Sequence, residues 1–283
     1  MEFSYCLVRK NFEPVAFIAF QIISYHVKGL GKLIEFGMRN LGIYNSKKPL
    51  KVIICGNALI SGNYSFNHTE EINDIEFAYC INEACRKLKK KLKKVDFIIL
   101  KDFFADDQVT ISSLLSKGFH SFKVDPCMTI KIPERWQSFD DYFDAISSKY
   151  KKRCRKILQK FNGIEVKELS YDEMIEKKGE IERLYKNVNS KVEFQLTSAN
   201  VNYLQLLKEQ FQESFVFKAY FLNSEMVGFL SSLLANGTLE AHLIGLDYEK
   251  NKDYEIYQNL LYDYLKQAID FKCQKLNLGR TAL

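Results

Sequence analysis

Residues 11–18, Asn-Phe-Glu-Pro-Val-Ala-Phe-Ile, are matched at residues 223–230 by Asn-Ser-Glu-Met-Val-Gly-Phe-Leu. Asn, Glu, Val and Phe coincide, and Ala/Gly and Ile/Leu are similar. Each copy lies between two apolar, strand-like runs and reads as a hairpin turn. The segments downstream agree in order. The run 52–55 enters Gly56 as His242, Leu243 and Ile244 enter Gly245. A polar stretch comes next, with Gly62, Asn63 and Asn67 in the first copy and Tyr248-Glu249-Lys250-Asn251-Lys252 in the second. An amphipathic helix then recurs. Its stripe is Phe77, Ala78, Ile81, Ala84, Cys85, Leu88 and Leu92 in the first copy. In the second it is Tyr257, Leu260, Leu261, Tyr264, Leu265, Ala268 and Ile269. A short strand closes each copy, 95–100 before Lys101-Asp102 and 274–278 before Gly279-Arg280. A chain that repeats such an ordered set folds as two similar units.

The second copy has more upstream: a strand at 163–169, a helix at 171–188 and a helix at 198–211 with Ser198 as its cap. The first copy continues past its last strand with a helix at 108–117 and extended runs over 118–132, interrupted by Asp125-Pro126. The expected units are therefore residues 1–132 and 133–283. The first is expected to be incomplete at its N-terminus and the second at its C-terminus, as in a fragment cut within a repeat at both ends, the alternative being a natural start and stop. A basic helix at 147–161 opens the second unit, with Lys149, Lys151, Lys152, Arg153, Arg155, Lys156 and Lys160 around an apolar face of Tyr150, Cys154, Ile157, Leu158 and Phe161. Asn251 or Asp253 is expected to cap the helix after the second polar stretch. A strand passing through a polar loop into a helix N-terminus offers amide groups and a positive dipole end to an anion such as a phosphate.

A length of 283 residues suits two ordinary domains, and 47% hydrophobic residues suffice for packed cores. With 4 prolines and no low-complexity segment, disorder is not expected. A net charge of +6 admits an acidic ligand or nucleic acid without requiring either. Seven scattered cysteines with no C-x-x-C point to a reduced, cytoplasmic chain. The apolar run 15–25 is interrupted by Gln21 and Ser24 and falls short of the ~20 residues of a membrane span. Arg9, Lys10 and Glu13 before it do not have the arrangement of a secretory signal. His26, His68, His120 and His242 lie far apart and make no metal-ligand pattern with the cysteines, so no metal is expected. Gly29-Leu30-Gly31 with Gly37 and Gly42 misses the dinucleotide fingerprint and reads as loop.

The order strand, helix, helix, hairpin, strand, helix, strand in the second copy resembles that of the GNAT acyltransferase superfamily. Two such lobes in tandem resemble the Fem-type peptidoglycan aminoacyltransferases and Fem-like bacterial N-acyltransferases. Lys149-Tyr150-Lys151-Lys152-Arg153-Cys154-Arg155-Lys156 resembles the basic segment opening the second lobe. Gly245-Leu246-Asp247-Tyr248, with Tyr254 or Tyr257 after it, resembles the strand end and helix start at the donor site. Leu278-Gly279-Arg280-Thr281-Ala282-Leu283 resembles the strand-to-loop motif. The resemblance implies an α/β (α+β) fold of two tandem GNAT-like lobes, each a central mixed, mostly antiparallel sheet flanked by helices. It implies a cytoplasmic N-acyltransferase taking acetyl-CoA or another acyl-coenzyme A as co-substrate and a small-molecule or peptide amine as acceptor. An aminoacyltransferase using aminoacyl-tRNA in cell-wall precursor synthesis, and a non-catalytic binding module, are the alternatives. The chain departs from the superfamily's Gly-rich pyrophosphate loop, since residues 247–257 contain no glycine.

N-acyl transfer needs proximity, a polarised carbonyl and a proton acceptor rather than a nucleophile. No G-x-S-x-G, Walker or H-E-x-x-H motif occurs. Strict alternation along 238–247 puts Glu240, His242, Ile244 and Leu246 on one face and Leu239, Ala241, Leu243 and Gly245 on the other. Glu240 and His242 then form a candidate base pair for the amine, or an ordinary pair at the sheet surface. Gly245 marks a bulge or close approach in the strand that, in GNAT relatives, the donor's pantetheine arm joins, or else tight packing. Backbone amides near Leu246 and Asp247 would polarise the carbonyl. Asp247 and the hydroxyls of Tyr248, Tyr254 and Tyr257 stand where a leaving group would be protonated, or serve as cap and core. Arg280 would meet a phosphate or carboxylate, or form a surface ion pair. The basic helix, like the run 86–94, would grip an RNA backbone or simply be solvated.

Overall fold

A computed structural model describes residues 1–25, 49–123, 126–191 and 197–280. His26, the glycine cluster at Gly29, Gly31, Gly37 and Gly42, Asp125, and Thr281-Ala282-Leu283 lie outside the described residues. The chain divides into two compact units, with the division between Asp125 and Pro126.

In the first unit β1 (Glu2–Lys10) and β2 (Glu13–Tyr25) form an antiparallel hairpin. Its turn holds Asn11 and Phe12 at φ 51° and 72°, the left-handed pair a two-residue turn between twisted strands needs. β3 (Leu50–Cys55) and the short β4 (Phe66–His68) both pair antiparallel with β2. α1 (Asp74–Leu92) starts at a capping box. The Asn73 side chain accepts from the Ile75 and Glu76 amides, and the Glu76 carboxylate accepts from the Asn73 amide. Its buried stripe is Phe77, Ala78, Ile81, Ala84, Cys85 and Leu88, as the spacing dictates. The crossover lets β5 (Phe97–Leu100) lie parallel to β3. α2 (Gln108–Leu115) packs on α1. The strand order is β1-β2-β3-β5.

The second unit opens with β6 (Cys127–Lys131), which the sequence assigns to the first lobe but which pairs with the last strand of the second sheet. α3 (Phe139–Ala145) and the basic α4 (Ser148–Lys160) come next, then β7 (Ile164–Glu168). The single helix expected at 171–188 is divided at Lys177 into α5 (Tyr171–Glu176) and α6 (Lys178–Asn189). α7 (Val201–Phe211) is capped by Asn200, not Ser198, through the Tyr203 amide at 2.9 Å. β8 (Phe215–Leu222) and β9 (Glu225–Ala235) meet at Asn223 and Ser224, with φ 49° and 68°. That is the turn of Asn11 and Phe12 again, so the repeat seen in the sequence is also a repeat of conformation. β10 (Thr238–Leu246) comes after this hairpin.

The polar stretch expected as a loop is a short helix, α8 (Tyr248–Tyr254), which Glu255 in the left-handed region separates from α9 (Ile256–Asp270). The Asn251 carboxamide accepts from the Tyr257 amide at 2.8 Å, so Asn251 does serve the start of α9, from across the break. β11 (Lys275–Arg280) completes a six-stranded sheet of order β6-β11-β10-β9-β8-β7.

Alternation along β8, and a register shift opposite Tyr220 and Phe221 that leaves Val227 as an extra residue in β9, give this sheet two cores. Phe215, Phe217, Ala219 and Phe229 pack with α6 and α7, while Tyr220, Val227, Leu230 and Leu239 pack under α9. Each fully buried side chain of this size stabilises the fold by roughly 1.5–3 kcal/mol. All seven cysteines are free thiols. Among the described residues, no helix is long and apolar enough to cross a membrane, and no group of three or more His, Cys, Asp or Glu is placed to hold a metal ion.

Candidate functional site

β10 and β11 run side by side only at their start. Thr238, Leu239 and Glu240 pair with Lys275, Leu276 and Asn277, and beyond that, among the described residues, the two strands part. Two irregularities drive them apart. β11 bulges against β6 between Asn277 and Gly279, where Gly279 takes φ 70°. β10 bulges against β9 between Ala241 and Ile244. A bulge bends its strand and increases the local twist.

Glu240 and Asn277 form the last pair before the fork, each 3% exposed. Asn277 Nδ2 donates to Glu240 Oε2 at 2.7 Å. Asn277 Oδ1 accepts from the Gly279 amide at 2.9 Å and the Cys127 thiol at 3.0 Å. The fork is thus held at its apex by one carboxamide that reaches three strands.

The β10 bulge is fixed from β9 and from α9. The buried Ser231 hydroxyl accepts from the Leu243 amide at 3.1 Å, and the buried Tyr264 hydroxyl donates to the Ser231 carbonyl at 3.0 Å. The extra residue corrects the expected faces. Leu239, Ala241, Ile244 and Leu246 all lie toward the core under α9, whereas Leu243 joins the opposite core. Ile244 and Leu246 therefore do not share a face with His242.

His242 sits against Tyr203 and Phe215. Its Nδ1 is 3.1 Å from Ser231 Oγ and its Nε2 is 3.4 Å from the Tyr203 hydroxyl. Burial pushes the imidazole down to about 4, so it is neutral at pH 7. Glu240 and His242, expected as a couple, thus engage different partners.

Gly245 is packed beneath Phe229 and Leu184, where an added Cβ would come to 2.0 Å from Phe229 Cε1 and 2.8 Å from Leu184 Cβ. Leu246 is buried, and its carbonyl accepts from Asn187 Nδ2 at 3.2 Å. The Asp247 amide, expected to face an acyl carbonyl, donates instead to the Val227 carbonyl at 2.9 Å. The Asp247 carboxylate caps α8 by accepting from the Glu249 and Lys250 amides at 3.0 and 3.1 Å, with Arg183 Nη1 3.5 Å away. The amides expected to be free for an anion are therefore held by the chain's own carboxylate.

Tyr248 lies under Lys191, whose Nζ is 3.4 Å from the ring centroid. Tyr248, Tyr254 and Tyr257 are half-buried against the core under α9, and burial raises the hydroxyls of Tyr248 and Tyr257. Arg280, expected just past the last strand, belongs to β11 and pairs with Cys127. Sequence reasoning missed Asn277, Ser231 and Arg183. A lone Asn within Leu-Asn-Leu and a Ser pair inside the apolar β9 were the available signals.

The first unit keeps the corresponding pair closed. β3 and β5 pair from Val52 and Phe97 to Cys55 and Leu100, and the Lys101 amide extends the ladder to the Cys55 carbonyl at 3.0 Å. Lys101 Nζ donates to the Asn57 and Ile60 carbonyls at 2.6 and 3.0 Å and to the Asp102 carboxylate, which accepts from the Gly62 amide at 3.0 Å. The side chain passes so close to Gly56 (φ 147°) that a Cβ there would lie 2.0 Å from Lys101 Cγ.

No family model matches the sequence, and no curated protein matches it. Solved structures do. The crystal structure of FemX aligns with 99% of this chain and 79% of its own at a TM-score of 0.58 and 11% identity. The C-terminal domain of a proposed lysylphosphatidylglycerol synthetase from Agrobacterium fabrum aligns with 94% of this chain and 68% of its own, at 0.47 and 11%. An aminoglycoside acetyltransferase from an uncultured soil metagenomic sample, in complex with sisomicin, aligns with 37% of this chain and 73% of its own, at 0.26 and 17%. The chain shares its two-unit fold with FemX.

Proposed function

We propose that this chain transfers an acyl group from an activated ester or thioester to an amine, at the fork between β10 and β11 of the second lobe. The parting of the two strands after Glu240 and Asn277 carries this reading. Beyond the apex, the edge of β10 that faced β11 has no ladder partner among the described residues, and an extended donor arm would supply one by strand addition. The fold shared with FemX supports a transferase.

In the reaction the amine nitrogen attacks the acyl carbon, the ester or thioester bond breaks, and the amine proton leaves. Glu240 at the apex is the proton acceptor we favour. His242, neutral and enclosed by Tyr203 and Ser231, is the weaker base and holds the bulge in place. The hydroxyl of Tyr254 or Tyr257 is the proton source for the departing alcohol or thiol.

Acyl-coenzyme A would carry its pyrophosphate to the start of α8, where the Asp247 carboxylate already occupies the amides. Like charge disfavours that approach. This observation favours the second donor, an aminoacyl ester of tRNA, whose phosphates need not reach that turn.

The test is amine-dependent acyl release from acetyl-coenzyme A and from aminoacyl-tRNA, scored over a panel of small-molecule and peptide amines. Transfer from one donor, reduced on the order of 100-fold in Glu240→Gln with the fold intact, is the expected result. Absence of transfer from both donors, or an unimpaired Glu240→Gln, would overturn the reading.

A further inference from the structure

Five of the seven cations of α4 fall into two groups. Lys151 binds Asp144 at 3.0 Å and lies 5.5 Å from the Phe143 ring centroid, and the Arg155 guanidinium is 5.0 Å from the same centroid. These two fasten α4 to α3. Arg153, Lys156 and Lys160 succeed one another at helical spacing on another stripe. With Ile157 and Glu255 they line a cavity of about 330 Å³. Lys160 Nζ is 3.2 Å from Glu255 Oε1. Among the described residues, neither Arg153 nor Lys156 reaches a carboxylate within ion-pair distance. Three cations face one carboxylate, an excess of like charge that costs stability unless an anion offsets it.

The walls are held in place. Glu255 stands at the break between α8 and α9, in the left-handed region at φ 50°. The buried Asn259 carboxamide donates to the Glu255 carbonyl at 2.9 Å and to the Ile157 carbonyl at 3.3 Å, joining the first turn of α9 to α4. The cavity lies between two helices tied by that bond, and its volume is at the lower end of the ~300–1,000 Å³ found for small-ligand sites.

We infer that this cavity is a binding site for a phosphate group. A guanidinium and two ammonium groups offer charge-assisted donors to several oxygens of one anion. Ile157 is its apolar wall, and among the described residues no aromatic ring lines it for a base to stack on. The phosphate belongs to a free phosphate ester such as coenzyme A or to the backbone of an RNA. Either would bring a donor to the second lobe, so the inference deepens the transferase reading, but the binding itself does not require that transfer occur.

Titration calorimetry with sodium pyrophosphate, coenzyme A and a short RNA hairpin tests it. Pyrophosphate should bind the wild-type chain with an affinity that falls as salt rises. Arg153→Gln with Lys156→Gln should weaken it at least tenfold. Lys87→Gln with Lys90→Gln, which changes net charge equally on α1, should not. Glu255→Gln removes the opposing carboxylate, frees Lys160 and should tighten binding. Loss of coenzyme A binding in the Arg153/Lys156 variant assigns the phosphate to a free ester, and loss of hairpin binding assigns it to RNA. No pyrophosphate binding by wild type, or equal weakening by the α1 control, overturns the site. Binding without detectable acyl transfer leaves the site standing and sinks only the transferase reading.

Discussion

Lys101 and Asp102, neighbours in sequence, form a buried ion pair at the end of β5, with side chains 8% and 6% exposed. Asp102 makes it by adopting φ 66°, which turns its carboxylate back over the lysine. The pair gathers the carbonyls of Asn57 and Ile60 and the amide of Gly62 onto the end of β3 and β5. At the matching place in the second lobe β11 takes a glycine bulge and the strands fork. One repeat thus carries a staple where the other carries an opening, which supports the donor site in the second lobe alone.

Replacing Asp102 by Asn keeps the shape and tolerates the left-handed backbone but leaves Lys101 charged and buried. Breaking a buried pair from one side costs ~3–5 kcal/mol. The Asn57 and Ile60 carbonyls still accept from Lys101 and place D102N at the low end, on the order of 3 kcal/mol. Urea unfolding should show this loss, and the double variant K101M/D102N should lose less than the sum of the two single changes. A loss within experimental error in D102N would mean that the pair contributes nothing to closing the first lobe.

His242 makes stability depend on pH. Its folded-state value is about 4 against an ordinary 6.5, because the ring is desolvated. The unfolded chain therefore binds a proton over a range in which the folded chain does not. The contribution of the neutral ring is fully present above 6.5 and is lost as pH falls from 6.5 through 4. At a pH of about 4.5 the difference is roughly 2–3 kcal/mol. Unfolding midpoints measured from about pH 7 down to about pH 4.5 should fall for the wild type. H242Q should show a shallower fall by about that amount. Parallel curves would contradict the assignment.

Gly245 stands out in the sequence for its backbone, and the geometry gives it a packing reason. An alanine there must displace the Phe229 ring and the Leu184 side chain. Overpacking of this kind costs about 1–3 kcal/mol, and G245A should fall at the upper end. Phe229→Leu, itself destabilising, should recover part of that cost in the double variant, because the two positions share one space. Simple additivity would instead point to a backbone requirement at Gly245.

Hairpins and helices were legible because their signals are local. Asn11 and Asn223 open the two turns, and the stripes of α1 and α9 recur at helical spacing. The β10 bulge was not legible. It is made by a hydroxyl from Ser231 and another from Tyr264, neither of which disturbs the alternation of β10 itself. The sheet that β6 joins depends on which edge is open in three dimensions, and Cys-Met-Thr-Ile-Lys does not encode that. α8 was missed because it is too short and too polar to show periodicity, although Asp247 ahead of it was a cap in plain sight. Glu240 was found by its polarity within an apolar strand. Its partner Asn277 had the same signal in β11 and went unused.

Asp247 provides the last test, because cap and acid make opposite demands on it. As a cap it accepts from two amides of α8 and stands beside Arg183, which also donates to the Met226 carbonyl at 2.9 Å. A serine keeps the cap without the charge, whereas alanine removes both. D247A should lose about 1 kcal/mol in urea unfolding and D247S clearly less. If Asp247 also protonated the leaving group, D247S would transfer acyl groups as poorly as D247A despite its intact helix. The expected outcome is the other one. D247S should keep both stability and rate, and D247A should lose stability first, because both carboxylate oxygens already face the helix and Arg183 rather than the fork.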